Sequence, residues 1–323
     1  MSKKNIVIFI VFTLISGFLS YMCSVSFFDF IGVEFLTVAL IAVVSAAGNV
    51  VLGAISGAIN IVCAYIGGGM EGVMLSLFAV LFALLAGCCI KNKCSTTKLV
   101  FVFSVGFIFS VVAYIAYKSG TTGVNVIESF VKNIKPVFQQ SMNEYLNASG
   151  LLEYQAVMKE FVDSYFVYIQ NMIPSIFVIM ALTFSFLSCC IVSLSLRILR
   201  LREVFSVRFS EFICDRTTTV VFLLSGALAM FMNTGVIQTV FTNIFAILLF
   251  VFQVCGFSLL DGVLKRKGLP TGARVLIMLV SAMFATSGIV LLILIIAAAL
   301  DSFRNFRAVG ETDDSSNNDN GSD

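Results

Sequence analysis

Between residues 5 and 300 the chain repeatedly runs for about 20 residues with almost no charge, and nothing else restricts its fold as much. In a bilayer every backbone N–H and C=O must be bonded within the protein, so runs of this length become helices. Water offers no alternative. Only 12% of the residues are charged while 59% are hydrophobic, and a soluble domain draws on about 25% charged residues to cover its surface. The sequence therefore predicts an all-α, polytopic integral membrane bundle.

The first apolar run is 5–27, directly after Lys3 and Lys4. The next, 33–66, is too long for one helix and breaks at Ala47-Gly48-Asn49 into two short spans. Gly67-Gly68-Gly69-Met70-Glu71-Gly72 separates these from a fourth span at 73–90. Further spans follow at 99–117, 166–196, 217–232 and 240–260, about eight in all. The last stretch, 273–300, would reach roughly 42 Å as one helix, against an apolar layer of about 30 Å. It reads as a ninth span or, with a bend at Thr286-Ser287-Gly288, as a hairpin. The hairpin is the preferred reading. Ser24-Val25-Ser26 resembles a leader cleavage site, but the first run exceeds a typical signal core, so retention as an anchor is expected.

Lysine and arginine set the expected orientation. With the N-terminus inside, the segments 91–98, 197–216, 261–274 and the N-terminal tip hold 14 of the 20 cations. The hairpin adds Arg304 and Arg307 to that side, as the positive-inside rule favours. Tyr21, Tyr65, Tyr114, Tyr117, Tyr165 and Tyr168 fall at the opposite span ends, where an amphipathic ring prefers to sit. The expected address is a bacterial plasma membrane, multi-pass, with 118–165 outside.

Four regions result: five N-terminal spans (1–117), an extracytoplasmic helical segment (118–165), a C-terminal membrane region (166–307) and an acidic tail (308–323). In 118–165, Val124, Ile127, Val131, Ile134, Phe138, Met142 and Tyr145 recur at helical spacing. This predicts an amphipathic hairpin on the outer face or, alternatively, a lid. From Gly310 to Asp323 the tail is rich in Ser, Asn and Asp with no apolar residue to bury, and disorder is expected there. Loop 197–216 carries five Arg and reads as an amphipathic helix against anionic lipid, or as a dock for a cytoplasmic partner.

Composition also removes chemistry. There is no His, hence no imidazole base, His metal ligand or His-based triad. None of the nine cysteines forms a C-x-x-C pair, so no metal site is expected and packing is their default role. No Walker A lysine motif is present. The chain reads as a non-enzyme with no cofactor, no catalytic residue and no nucleic-acid partner. Polar residues at membrane depth carry the remaining signal, because they cost free energy there. Asn49, Asn60, Asn243 and Gln253 are the ligand-lining candidates, with Glu34, Glu71 and Asp261 near span ends. Gly53 and Gly57 form a small-xxx-small ridge for close helix packing, with a weaker version at Ser16 and Ser20.

The stretch 243–260 with Phe252-Gln253-x-x-Gly256, the closing Asp301-x-x-x-x-Phe306-Arg307, and Pro174 at the mouth of the sixth span resemble the YybS-like bacterial membrane proteins, a family of unknown function. Gln253, Gly256, Asp301, Phe306 and Arg307 are the motif positions. The short Gly- and Ala-rich N-terminal spans are also similar to the substrate-capture subunits of energy-coupling-factor transporters, which implies a small-molecule pocket. The expectation is a non-catalytic component with a small-solute or lipid-related site. Its expected partners are the bilayer, a small-molecule ligand and a cytoplasmic or membrane partner subunit. The alternative is a scaffold that docks a cytoplasmic protein through 197–216.

Overall fold

The computed structural model describes residues 3–25, 33–200, 205, 207, 209–232, 235–285 and 288–304. These residues are helical almost throughout, with no strand among them. They divide into two compact units, Met1–Val207 and Arg208–Asp323. The boundary falls between Val207 and Arg208, so the sixth span packs with the N-terminal helices rather than within a region 166–307.

The first unit opens with α1 (Lys3–Val25) and α2 (Glu34–Ala47). Asn49 then caps α3 (Val50–Lys91), its Oδ1 accepting from the Val51 amide at 2.6 Å. As one rod, the 42 residues of α3 would measure roughly 63 Å, twice the apolar layer. They form a hairpin instead. At Gly69 the backbone turns through φ 58°, ψ −140°, a left-handed position that glycine occupies without a Cβ clash. The arms 50–68 and 70–91 then face each other. A Cβ on Gly57 would run into Val80 Cγ1, and one on Gly53 would lie 2.7 Å from Ser45 Cβ and 2.9 Å from Leu84 Cδ2. The small-residue ridge is where two helices and a hairpin arm meet.

Polar side chains join α1 to the first arm of α3. Thr13 Oγ1 donates to Ser56 Oγ at 2.9 Å, and Asn60 Nδ2 donates to Ser16 Oγ at 3.0 Å and to Ser56 O at 2.7 Å. Ser20 Oγ donates to Asn60 O at 3.2 Å. This ladder holds the first apolar run as part of the bundle.

Ser95 caps α4 (Thr96–Thr122), which packs on the second arm of α3 and on α6 (Gln155–Ile198). Between them lies α5 (Val126–Ala148), an amphipathic helix. Val131 of α5 packs against Val162 and Phe166 of α6, and Lys135 pairs with Asp163 at 2.8 Å. The 44 residues of α6 include Pro174 and run from the 118–165 segment through the expected sixth span without interruption.

Asp215 caps the second unit's α7 (Arg216–Phe231), its Oδ1 accepting from the Thr218 amide at 3.0 Å and from the Thr218 hydroxyl. Helices α8 (Val236–Arg266), α9 (Thr271–Ala285) and α10 (Ile289–Arg304) complete it. The core is aromatic: the ring of Phe222 stacks on those of Phe245 and Phe252 at 5.2 and 4.6 Å. The last apolar stretch is two helices, α9 and α10, bent by 115° from each other.

Among the described residues, four helices, α3, α4, α6 and α8, are long and apolar enough to cross a membrane, five if α9 and α10 count together. At 14 and 16 residues, α2 and α7 reach only about 21 and 24 Å and do not cross alone as full spans. Loop 197–216 is described only in part, and the amphipathic helix expected there falls largely outside the described residues. Its described residues include a short 3-10 turn at Phe209–Glu211, while Phe205 and Val207 turn into the first unit's core.

Candidate functional site

The four amides singled out from sequence separate on folding. Asn49 is exposed and spent on the α3 cap. Asn60 is fully buried but bonded to α1, with its Oδ1 unpartnered. Asn243 donates to Thr239 O one turn back at 2.8 Å, and Gln253 sits half-buried on the same helix. Two therefore lie in each unit, and none lines the first unit's membrane-depth cavity. Asn49 is a capping group, Asn60 joins two helices and Asn243 bonds within its own helix.

Of the motif positions, Gly256 marks a close crossing, since a Cβ there would fall 2.5 Å from Leu294 O of α10. Asp301 is buried at 2% exposure. Phe306 and Arg307 lie outside the described residues, as does the tail. The cysteines behave as apolar packing groups, but Cys214 and Cys255 bring their sulfurs to 3.1 Å in the second unit's core. Their separation of 41 residues offers no local motif to signal it.

The three span-end acids tell more. Glu71, at the α3 hairpin turn, meets Lys118 Nζ at 2.8 Å. Asp261 meets Arg274 Nη1 at 2.9 Å, with both side chains largely buried. Glu34 has no such partner. It is 5% exposed, and neither carboxyl oxygen has a hydrogen bond. Burial without compensation is costly for any polar group and far more so for a charge.

Glu34 starts α2 and lines a cavity completed by the second arm of α3, α4 and α6. The cavity leaves about 10 Å³ for the centre of a water-sized molecule, room for one water. Phe35 stacks on Phe184 at 5.5 Å, and Phe107 closes on the same ring at 5.5 Å. Phe82 fits because Gly106 faces it, where a Cβ would lie 2.5 Å from Phe82 Cβ. The result is an aromatic box around one carboxyl.

Three hydroxyls border this region, and all direct their hydrogens to backbone carbonyls. Ser110, beside Glu34, donates to Gly106 O at 2.9 Å. Ser185 donates to Ala181 O, and Ser188 to both Phe184 O and Phe35 O at 3.0 Å. A hydroxyl whose hydrogen is committed offers lone pairs to whatever else approaches.

Two lysines gauge the depth. Ser110 lies eight residues along α4 from Lys118, about 12 Å. The far end of α2, where Lys91 Nζ reaches Gly48 O at 3.4 Å, is about 21 Å from Glu34. Those distances together match the thickness of an apolar layer. Glu34 thus lies between the levels of Lys118 and Lys91 along these helices.

A second cavity, of about 470 Å³, lies between α5 and the start of α6 and is lined by Gln139, Met142, Asn143, Gln155, Met158 and Lys159 among others. It is open and mixed in polarity, and no acid lines it.

Residues 7–301 match the model of a family described as a predicted membrane protein, DUF2232. The chain belongs to that family. The match spans nearly the whole polypeptide and establishes a multi-pass membrane protein of a family of unknown function. It carries neither the YybS-like name nor the likeness to energy-coupling-factor subunits. No curated protein and no solved structure matches the chain.

Proposed function

We propose that this DUF2232 member is a non-catalytic transport component for a small solute, with Glu34 as the charge that the transported species or its coupling partner meets inside the membrane. The observation that carries the reading is the Glu34 carboxyl, buried at membrane depth with both oxygens unpartnered. Ionisable groups at that depth are costly and mark substrate or ion pathways. Here Glu71 and Asp261 pair with Lys118 and Arg274, which sets Glu34 apart from those two acids.

In this reading the protein sits in a bacterial plasma membrane with its N-terminus in the cytoplasm and α5 outside. Bias of lysine and arginine towards the cytoplasmic loops supports that orientation. Any ATP-driven step falls to a partner subunit, since the chain has no phosphate-binding lysine motif.

Native mass spectrometry of the purified protein tests the reading. A small molecule retained by the wild type and lost from Glu34→Ala is the expected result. Empty species from wild type and variant alike would overturn it.

A further inference from the structure

Glu34 poses a charge-balance problem that the protein's described residues leave open. The cavity walls contribute Ala79 and Phe82 from α3, Phe107 from α4, and Ser185 and Ser188 from α6, none of them charged. Among the described neighbours, the titratable groups are the Cys23 thiol of α1, within electrostatic reach, and Tyr114 further along α4. The Tyr114 hydroxyl accepts from Lys118 Nζ at 3.4 Å and is thereby engaged at the hairpin end. Among the described residues, no cation pairs with this carboxyl.

We infer that Glu34 is the binding site of a coupling species that carries a single positive charge, a proton or an alkali cation. Three observations converge on this chemistry. One isolated carboxylate is neutralised by one elementary charge, whereas a divalent ion would leave an excess charge in a low-dielectric site. The space beside it holds one water-sized body and no more. Ser185 and Ser188, which line the cavity, have their hydrogens on backbone carbonyls, so their oxygens present lone pairs that suit a cation. The inference rests on reading Glu34 as the functional group of a transport component, and it adds the class of ion.

The test is carbodiimide modification of the full-length protein in detergent, with the modified carboxyl mapped by mass spectrometry. Rates are compared from mildly acidic to alkaline pH, and in sodium or potassium chloride against choline chloride at equal ionic strength. We expect modification at Glu34, absent from Glu34→Gln and regained in Glu34→Asp. Slowing by several-fold as pH rises identifies a proton, and slowing by sodium or potassium but not by choline identifies an alkali cation. Modification indifferent to both, or no modification of Glu34 under any condition, overturns the inference. Because the assay does not depend on a retained small molecule, it can fail while the transport reading stands, and the reverse.

Discussion

Replacing Glu34 by methionine should make the protein more stable, which a structural residue would not allow. The carboxyl is 5% exposed and has two unpartnered oxygens. A buried polar group left without a partner costs about 1–3 kcal/mol. Methionine keeps the length of the side chain, and its additional volume falls into the adjoining water-sized space. Removing the orphaned group should therefore stabilise the first unit by about 2 kcal/mol. For a unit of this size each kcal/mol moves the midpoint by about 2–4 °C, so a rise of about 4–8 °C is expected. With no Trp in the chain, intrinsic indole fluorescence is not usable. Thermal unfolding can be followed instead with a thiol-reactive dye, since Cys23 and Cys189 are buried in this unit. A fall in midpoint of similar size would show that the carboxyl makes a stabilising contact, and the case for a functional charge would be lost. A rise, accompanied by loss of carbodiimide reactivity, would show stability sacrificed for function.

Four further outcomes follow from the packing and the charges. Gly57→Val should destabilise the hairpin of α3 by about 2 kcal/mol through overpacking against Val80; adding Val80→Ala should recover most of the loss in the same thermal assay, and no recovery would argue against the arm contact. Asp261→Asn leaves Arg274 buried without its counter-charge and should cost about 3–5 kcal/mol, while Asp261→Leu with Arg274→Met should restore much of it; equal melting of all variants would dismiss the pair. Bonding to the Thr218 hydroxyl and amide holds the Asp215 carboxyl below the ordinary range. Its cap is thus present above the ordinary Asp range and lost as pH falls through the lowered value, so the protection factor of the Thr218 amide should drop only in strong acid, and constant protection there would contradict the cap. For orientation, single cysteines in a Cys-free background should react with an impermeant reagent on intact cells at Gly120→Cys, but at Lys93→Cys and Lys267→Cys only after permeabilisation.

The parts of this fold that were legible in the sequence are those governed by short-range rules. Gly67-Gly68-Gly69 announced a turn because only glycine enters a left-handed backbone cheaply, and Gly69 takes that conformation. The ridge of Gly53 and Gly57 announced close packing because a missing Cβ is a local fact, but not that the contacts would be Ser45, Leu84 and Val80. The same limit explains the amides. A membrane-depth Asn signals a hydrogen bond, yet whether the acceptor is a ligand or a neighbouring helix depends on register between elements: Asn60 meets Ser16, 44 residues away. Asn49 lies next to the break before α3 and becomes a cap for the same short-range reason that places Asn and Asp before helices.

Glu34 shows most plainly where local reading stops. In the sequence it resembles Glu71 and Asp261, acids at the edges of apolar runs, and an edge position suggests contact with headgroups and water. In the fold, α2 begins beside Ser110, about 12 Å along α4 from Lys118, the partner of Glu71, and not at the level of that pair. Depth in a membrane is thus set by where a helix starts relative to its neighbours, and one chain's hydropathy does not contain that offset. Two of the three acids are followed in the fold by a cation that reaches them from another helix. Among the described residues, the third is met by aromatic rings and by serine hydroxyls, with no cation. A site built that way stabilises whatever positive species enters it more than it stabilises the empty fold, and this difference is what a coupling site requires.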